Sequence, residues 1–158
     1  MINIAVLTIS DSCSSGERED ISGQTIMDML PQDKFRISVK EIVPDDHKKI
    51  VDELTKFSDR KDIDVVLTTG GTGLGPRDVT PEATTSVCER IVPGFGEIFR
   101  VEGYRNTHNA ILSRGIAGIR KSTLMINLPG SPRAVRVCLD IILDVLPHAV
   151  EMIHGGGH

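Results

Sequence analysis

A glycine-rich turn between a predicted strand and a predicted helix constrains the fold of this 158-residue chain most strongly. The turn spans residues 68–81, with the sequence TTGGTGLGPRDVTP. It follows the apolar, β-branched run 63–67, which is typical of a buried strand. Thr80-Pro81-Glu82 then supplies a helix cap, a proline at the first helical position and an acid in the first turn. Because backbone N–H groups in such a turn can approach an anion closely, the pattern predicts an anion site, with phosphate as the first candidate.

Strands and helices alternate along the rest of the chain. The hydrophobic periodicity predicts strands over residues 2–9, 35–43, 63–69, 116–120 and 123–128. It predicts helices over residues 22–30, with Ser22 as cap, and over residues 46–58, 80–90, 96–105 and 132–146. This alternation predicts an α/β fold, a three-layer α/β/α sandwich on a mostly parallel sheet, with an antiparallel hairpin at one edge. We expect a single domain over residues 1–153 and a frayed tail over residues 154–158.

Four polar turns directly follow predicted strands, over residues 10–16, 44–46, 70–79 and 129–131. In a parallel sheet the carboxyl ends of the strands lie along one edge, which is where open α/β sheets bind their ligands. We therefore expect the four turns to form one crevice.

The glycine turn departs from the two common nucleotide signatures. Gly70 and Gly75 have the spacing of a P-loop, but Pro76 occupies the position of the required lysine. Gly71-Thr72-Gly73 begins like a dinucleotide fingerprint, yet Pro76 replaces the third glycine. The turn is therefore predicted to be a phosphate cradle of another type.

Two acids are candidates for catalysis and for metal binding. Asp78 lies inside the glycine turn, and Asp45 follows the neighbouring strand. Two carboxylates facing bound phosphates are a usual arrangement for holding Mg²⁺ during phosphoryl or nucleotidyl transfer. Each acid also has a structural alternative, since Asp45 or Asp46 could cap a helix and Asp78 could form a turn.

The composition argues against several other classes of protein. The chain has 18 basic and 22 acidic residues and only 3% aromatic residues, which gives little support to nucleic-acid binding. The three cysteines are widely spaced, so they imply neither a disulfide framework nor a zinc site. No run reaches the ~18 apolar residues of a membrane span, and no leader precedes the first strand. We expect a cytoplasmic protein without a membrane or nucleic-acid partner.

Five segments together resemble the MogA/MoaB family of molybdenum cofactor biosynthesis proteins, and similar blocks occur in the G domain of gephyrin. In order along the chain, the segments are Ser10-Asp11-Ser12-Cys13, Val43-Pro44-Asp45, residues 68–83, Ile111-Leu112-Ser113-Arg114, and Asn127-Leu128-Pro129-Gly130-Ser131.

The resemblance implies a molybdopterin adenylyltransferase, which transfers AMP from Mg-ATP to the terminal phosphate of molybdopterin. By position, Asp45 and Asp78 match the two acids on which catalysis in the family depends, and we expect both to bind Mg²⁺. The positions that match nucleotide and pterin contacts are Ser10, Asp11, Ser12, Gly70, Gly71, Thr72, Gly73, Ser113, Asn127, Pro129, Gly130 and Ser131. The resemblance also implies a homotrimer and contacts with other cofactor biosynthesis proteins. The alternative is a non-catalytic carrier that binds pterin or nucleotide.

Overall fold

The structure of the protein is a computed structural model that describes residues 1–156. Its strands are β1 (Ile2–Ile9), β2 (Phe35–Val43), β3 (Val65–Thr69), β4 (Arg90–Ile91), β5 (Ala117–Arg120) and β6 (Thr123–Leu128). Its α-helices are α1 (Asp11–Ser14), α2 (Ile21–Met29), α3 (His47–Asp59), α4 (Thr80–Val87), α5 (Pro93–Tyr104), α6 (Pro132–Ile142) and α7 (Leu146–Ile153). A 3₁₀ helix spans His108–Leu112.

The strands form one six-stranded sheet in the order β2-β1-β3-β6-β5-β4. The β1 strand pairs in parallel with β2 and β3, and β3 pairs in parallel with β6. The β5 strand runs antiparallel to both β6 and β4. The mostly parallel sheet with an antiparallel hairpin at one edge is therefore confirmed.

Helices cover both faces of the sheet and produce two separate cores. On one face, α2, α5, α6 and α7 contribute apolar side chains that include Ile26, Phe99 and Leu139. On the other face, α3 and α4 contribute Leu54 and Ala83, among others. Neighbouring residues of β1 and β3 alternate between the two cores, so these central strands are apolar on both faces, as buried parallel strands are. The three-layer prediction is confirmed.

Several predicted helix boundaries are wrong. The cap of α2 is Asp20 and not Ser22, because the Asp20 carboxylate accepts a 2.9 Å hydrogen bond from the Gly23 N–H. The α4 helix ends at Val87, and Arg90, the last residue of the predicted helix, instead begins strand β4, which pairs with β5.

Helix α5 begins at Pro93, not at residue 96. The predicted last helix is two helices, α6 and α7, with a break at residues 143–145. Pro147 explains this break, since it lacks the N–H that would continue the hydrogen-bonding ladder to Leu143.

The chain after α7 makes contacts with the folded domain and with α7 as far as residue 156. His154 Nε2 lies 3.2 Å from Asp64 Oδ1, and the Gly156 N–H donates to the Glu151 carbonyl at 2.8 Å. The frayed tail over residues 154–158 stays a prediction, and residues 157–158 lie outside the described residues. Within residues 1–156, no helix combines the length and the apolar character needed to cross a bilayer.

Candidate functional site

The loops that follow β1, β2, β3 and β6 lie side by side, as predicted. In the sheet, Ile9 is opposite Val43, Thr8 is opposite Thr69, and Thr69 is opposite Leu128. Thr69 Oγ1 also donates a 2.7 Å hydrogen bond to the carbonyl of Pro129, which joins the glycine turn to the loop after β6. The four strand ends therefore open into one crevice.

The first two glycines of the glycine turn occupy positions that require glycine. Gly70 and Gly71 have φ angles of +99° and +67°, which side-chain-bearing residues rarely adopt. A Cβ at Gly70 would lie 2.2 Å from the Ile9 carbonyl oxygen, and one at Gly71 would lie 2.2 Å from Thr80 Oγ1. Thr80 is not the helix cap, because Val79 occupies that position. Instead, Thr80 Oγ1 donates to the Gly70 carbonyl at 2.9 Å and fixes the turn against α4.

Arg114 holds the remainder of the glycine turn in place. Its guanidinium donates to the carbonyls of Gly73 at 2.8 Å and Asp78 at 2.7 Å, and it also pairs with the Glu82 carboxylate. Its backbone N–H donates to the Thr72 carbonyl at 2.9 Å. Arg114 thus ties both sides of the segment that carries Asp78. Sequence reasoning missed this role; the available signal was an arginine directly after the candidate Ser113.

Asp45 is not a helix cap, so that structural alternative is excluded. The α3 helix is capped by Asp46, whose Oδ1 accepts from the Lys49 N–H at 3.0 Å. Asp45 instead exchanges two hydrogen bonds with Asp11: the Asp11 N–H donates to Asp45 Oδ2 at 2.9 Å, and the Asp45 N–H donates to Asp11 Oδ1 at 3.0 Å. The Arg77 guanidinium forms a bidentate pair with Asp11.

Asp45 and Asp78 each use one carboxylate oxygen within the protein and leave the other available. Asp45 Oδ2 accepts from Asp11, and Asp78 Oδ2 accepts from the Gly75 N–H at 2.8 Å. Within residues 1–156, no protein group donates to the Oδ1 atom of either residue. The turn-forming alternative for Asp78 is therefore also observed, through its contact with Gly75, and it leaves one oxygen for a ligand.

The electrostatic environment of Asp45 disfavours a bare negative charge. Burial raises the pKa of its carboxyl above the ordinary value, and the nearby Asp11 and Asp78 carboxylates raise it further, against the opposing effects of the Asp11 N–H bond and of Arg77. The hydrogen bond from Arg77 lowers the pKa of Asp11. Three acids thus converge with one arginine paired to Asp11, an arrangement that favours an added cation.

The donor set fits Mg²⁺ bound together with phosphates. Mg²⁺ prefers oxygen ligands and is usually held by one or two carboxylates plus substrate phosphates rather than by a protein cage. In the described part of the chain, no group of three or more His, Cys, Asp or Glu side chains could hold a metal by itself. Two carboxylates with one available oxygen each match that incomplete coordination.

The predicted polar residues differ in how far their side chains are already used. Ser10 caps α1, with its Oγ accepting from the Cys13 N–H at 3.2 Å, and the Ser12 Oγ lies 3.3 Å from that of Ser10. Asn127 is only 2% exposed, and its amide bonds Thr68 Oγ1, Thr84 Oγ1 and the N–H of Ile116. The geometry therefore gives Asn127 the role of a support inside the sheet edge.

A cavity of about 260 Å³ lies beside the crevice, between α5, the 3₁₀ helix and α6. Three of the predicted substrate residues, Ser113, Pro129 and Ser131, line it, together with Arg100 and Arg133. Gly130 packs against the glycine turn, since a Cβ there would lie 3.4 Å from the Cα of Gly70. The candidate residues thus divide into a carboxylate crevice and an adjacent cavity that share a boundary at Gly70 and Gly130.

Comparison with known proteins agrees with this arrangement. Residues 5–148 match the family model described as "Probable molybdopterin binding domain". The chain belongs to this family.

Individual relatives match over nearly the whole chain. The molybdopterin adenylyltransferase of Helicobacter pylori is 44% identical over 98% of this chain and 89% of its own length. The molybdenum cofactor synthesis protein cinnamon of Drosophila melanogaster is 44% identical over 96% of this chain and 26% of its own. The crystal structure of the molybdopterin biosynthesis enzyme MoaB of Thermus thermophilus superposes with a TM-score of 0.92, at 45% identity and 98% coverage of both chains. The resemblance inferred from the five segments is confirmed.

The first prediction concerns the Arg114 contacts. Arg114→Met keeps the apolar stem but leaves the Gly73 and Asp78 carbonyls without these donors, so we expect the free energy of unfolding to fall by about 1–3 kcal/mol. Hydrogen exchange should also accelerate across residues 72–78. Urea unfolding and exchange mass spectrometry measure both effects.

Arg105→Met is the matched control, since Arg105 is exposed and pairs with Glu102, one turn away on α5. Loss of this ion pair should lower the free energy of unfolding by less than about 0.5 kcal/mol. An equal fall in the free energy of unfolding of the two variants would contradict the role assigned to Arg114.

The second prediction concerns the raised pKa of Asp45. Because the folded state binds the Asp45 proton more tightly than the unfolded state, ionisation at neutral pH destabilises the fold. Asp45→Asn should therefore be more stable than the parent at pH 7. The difference should grow as pH rises through the folded-state pKa and vanish below about pH 3.9, the unfolded value.

Unfolding is measured in EDTA from pH 3 to pH 8. Asp46→Asn removes the neighbouring charge while keeping a capping side chain, so it should change stability by no more than about 0.5 kcal/mol at any pH. A destabilised Asp45→Asn variant at pH 7 would show that the interpretation of the raised pKa is incorrect.

Proposed function

We propose that the protein is a molybdopterin adenylyltransferase that transfers AMP from ATP to the terminal phosphate of molybdopterin. The observation that carries the proposal is the pair of carboxylates, Asp45 and Asp78, on two loops beside a positive-φ glycine turn at the carboxyl edge of the sheet. A relative named molybdopterin adenylyltransferase, 44% identical over 98% of the chain, supports the choice of substrates.

The reaction needs orientation more than acid–base chemistry. A phosphate oxygen of the pterin attacks the α-phosphorus of ATP in line, and the bond from the α-phosphorus to the bridging oxygen breaks as pyrophosphate leaves. Because the attacking phosphate is already an anion, no strong general base is required, and catalysis depends on positioning and charge stabilisation. The positive-φ glycines and the turn held by Arg114 suit positioning, since they give a rigid backbone surface for the triphosphate.

Asp45 and Asp78 are the residues that would hold Mg²⁺, through their available Oδ1 atoms. When bound, the ion neutralises charge on the triphosphate and on the leaving pyrophosphate. The protein's own part is to fix the orientation of the two carboxylates. Hydrogen bonds from Asp11 and Gly75 orient them, and Arg114 holds the segment that carries Asp78.

The adjacent cavity is assigned to the pterin. Its lining by Ser113, Pro129 and Ser131 supports this assignment, as does its largely apolar wall, which suits a planar heterocycle. The shared boundary at Gly70 and Gly130 would bring the terminal phosphate of the pterin next to the nucleotide. Ser10, Ser12 and residues 70–73 are assigned to the nucleotide side, whereas both carboxylate oxygens of Asp11 are already bonded to Arg77.

The third prediction is ATP-dependent adenylylation. Purified protein with ATP, Mg²⁺ and molybdopterin should form adenylylated pterin and pyrophosphate, detected by chromatography with mass analysis. Asp45→Asn and Asp78→Asn should each lower kcat by about 100-fold or more, because each removes a carboxylate that would hold the Mg²⁺ ion against the phosphates. Unchanged turnover in both variants would refute the assigned roles.

Asp46→Asn is the matched control and should retain nearly full turnover, since Asp46 caps α3. Tight molybdopterin binding without any ATP-dependent product would instead support the alternative, a non-catalytic carrier.

We also propose a cytoplasmic homotrimer that meets other proteins of cofactor biosynthesis. An apolar patch on α5 and the 3₁₀ helix supports self-association; its members are Ile98, Val101, Tyr104, Ile111 and Leu112, of which Val101 is 58% and Ile111 59% exposed. Exposed apolar side chains grouped on two helices in this way are typical of interfaces.

The fourth prediction tests this assembly. Light scattering should give a molar mass of three times the 17.2 kDa chain. Val101→Asp should yield monomers, because it buries a charge in the apolar patch. Ile21→Asp, at an apolar residue of α2 that is 55% exposed and lies outside the patch, should leave the trimer intact. A monomeric parent protein would contradict the proposal.

A further inference from the structure

Arg77 is a site arginine whose role the proposed function does not explain. It lies in the glycine turn directly before Asp78, so it is placed like a phosphate-binding cation. Its guanidinium, however, is already engaged: Nε donates to Asp11 Oδ2 at 2.6 Å and Nη2 donates to Asp11 Oδ1 at 2.9 Å. This two-pronged geometry matches a carboxylate and makes Arg77 specific for Asp11.

Asp11 in turn makes its other contacts with Asp45. The Asp11 N–H donates to Asp45 Oδ2 at 2.9 Å, and the Asp45 N–H donates to Asp11 Oδ1 at 3.0 Å, so the two residues form a hydrogen-bonded ring. The first of these bonds fixes Asp45 Oδ2. Rotation of the Asp45 side chain would break that bond. The orientation of the available Oδ1 atom thus depends on where Asp11 is held, and Arg77 holds it.

We propose that Arg77 is a positioning residue of the transfer reaction, which acts through Asp11 to fix the Asp45 carboxylate relative to Asp78. This inference rests on the proposed function. Arg77 and Asp78 are consecutive, so the pair with Asp11, together with the two bonds between Asp11 and Asp45, links the loop that carries Asp78 to the loop that carries Asp45. In this role Asp11 acts within the protein and does not contact the substrate.

The exposure of the pair favours this role over a structural one. The Arg77 and Asp11 side chains are 63% and 46% exposed, and exposed ion pairs contribute only about 0–1 kcal/mol to stability. Variants at either position should therefore fold. An interaction that adds little stability but determines the geometry of a carboxylate is expected to affect turnover rather than folding.

The fifth prediction is a double-mutant cycle with Arg77→Met, Asp11→Asn and the double variant. Each single variant should lower kcat by about 10–100-fold while the KM for ATP changes by less than about threefold, because positioning is lost and not a substrate contact. The double variant should be no worse than the more severe single variant, within about threefold, since both act through one linkage. Arg77→Lys keeps the charge but not the two-pronged geometry, so its kcat should stay close to that of Arg77→Met.

A second readout does not depend on turnover. In the protein without ligands, Arg77→Met should accelerate hydrogen exchange at the Asp11 and Asp45 amides by about tenfold or more, because the ring that protects them loosens. Arg18→Met is the control, since Arg18 is exposed in the segment between α1 and α2. It should leave exchange at both amides and turnover unchanged.

Effects of Arg77→Met and Asp11→Asn that multiply in the double variant would overturn the inference. So would a rise of more than about tenfold in the KM for ATP with kcat unchanged, which would show that Arg77 contacts the nucleotide directly. Absence of product with the parent protein would refute the proposed function instead, and unchanged amide exchange in Arg77→Met would then still refute the positioning role.

Discussion

Strands β1, β3 and β6 pair in parallel at the centre of the sheet, and this pairing determines where the residues of the site can lie. The pairing of Thr8 with Thr69 and of Thr69 with Leu128 places three loops at one edge. The chain then passes so close to β1 that a Cβ on Gly70 would lie 2.2 Å from the Ile9 carbonyl oxygen. A shift of one residue in this register would turn every side chain of the strand to the other face and separate the loops.

The site concentrates negative charge that the fold alone does not neutralise. Asp11, Asp45 and Asp78 lie on three neighbouring loops, and burial raises the pKa of Asp45. Most of the interactions that stabilise these three carboxylates are directional hydrogen bonds. They are the two-pronged pair from Arg77 and the bonds from the Asp11 and Gly75 N–H groups. Hydrogen bonds to charged groups contribute about 1.5–3 kcal/mol each, enough to hold the carboxylates in place. Such a site trades stability for readiness to bind a cation and phosphates.

The central strands, the layers and the convergence of four loops could be predicted from the sequence, because they follow from apolar periodicity and from the geometry of parallel sheets. Helix ends could not, since they depend on contacts between distant residues. Asp20 caps α2 while its carboxylate also accepts from Thr8 of β1 at 2.7 Å. Strand β4 has two residues, which is too short for any periodicity. The partners of Arg77 and Arg114 lie up to 66 residues away along the chain, so no local pattern indicates them.

Asn127 shows why a polar residue at a strand end is ambiguous in sequence and informative in structure. Both a ligand contact and a buried support require a side chain with donors and an acceptor, and sequence alone does not separate the two. The structure shows three partners inside the fold, from β3, α4 and the segment before β5. These bonds join the segment that follows the cavity residue Gly115 to the strand that leads into the glycine turn. Because Arg114 follows the cavity residue Ser113 and donates to the Gly73 and Asp78 carbonyls, the cavity and the loop that carries Asp78 share one support. The proposed transfer between two bound phosphates depends on a fixed distance between their subsites, and a shared support is what such a distance requires.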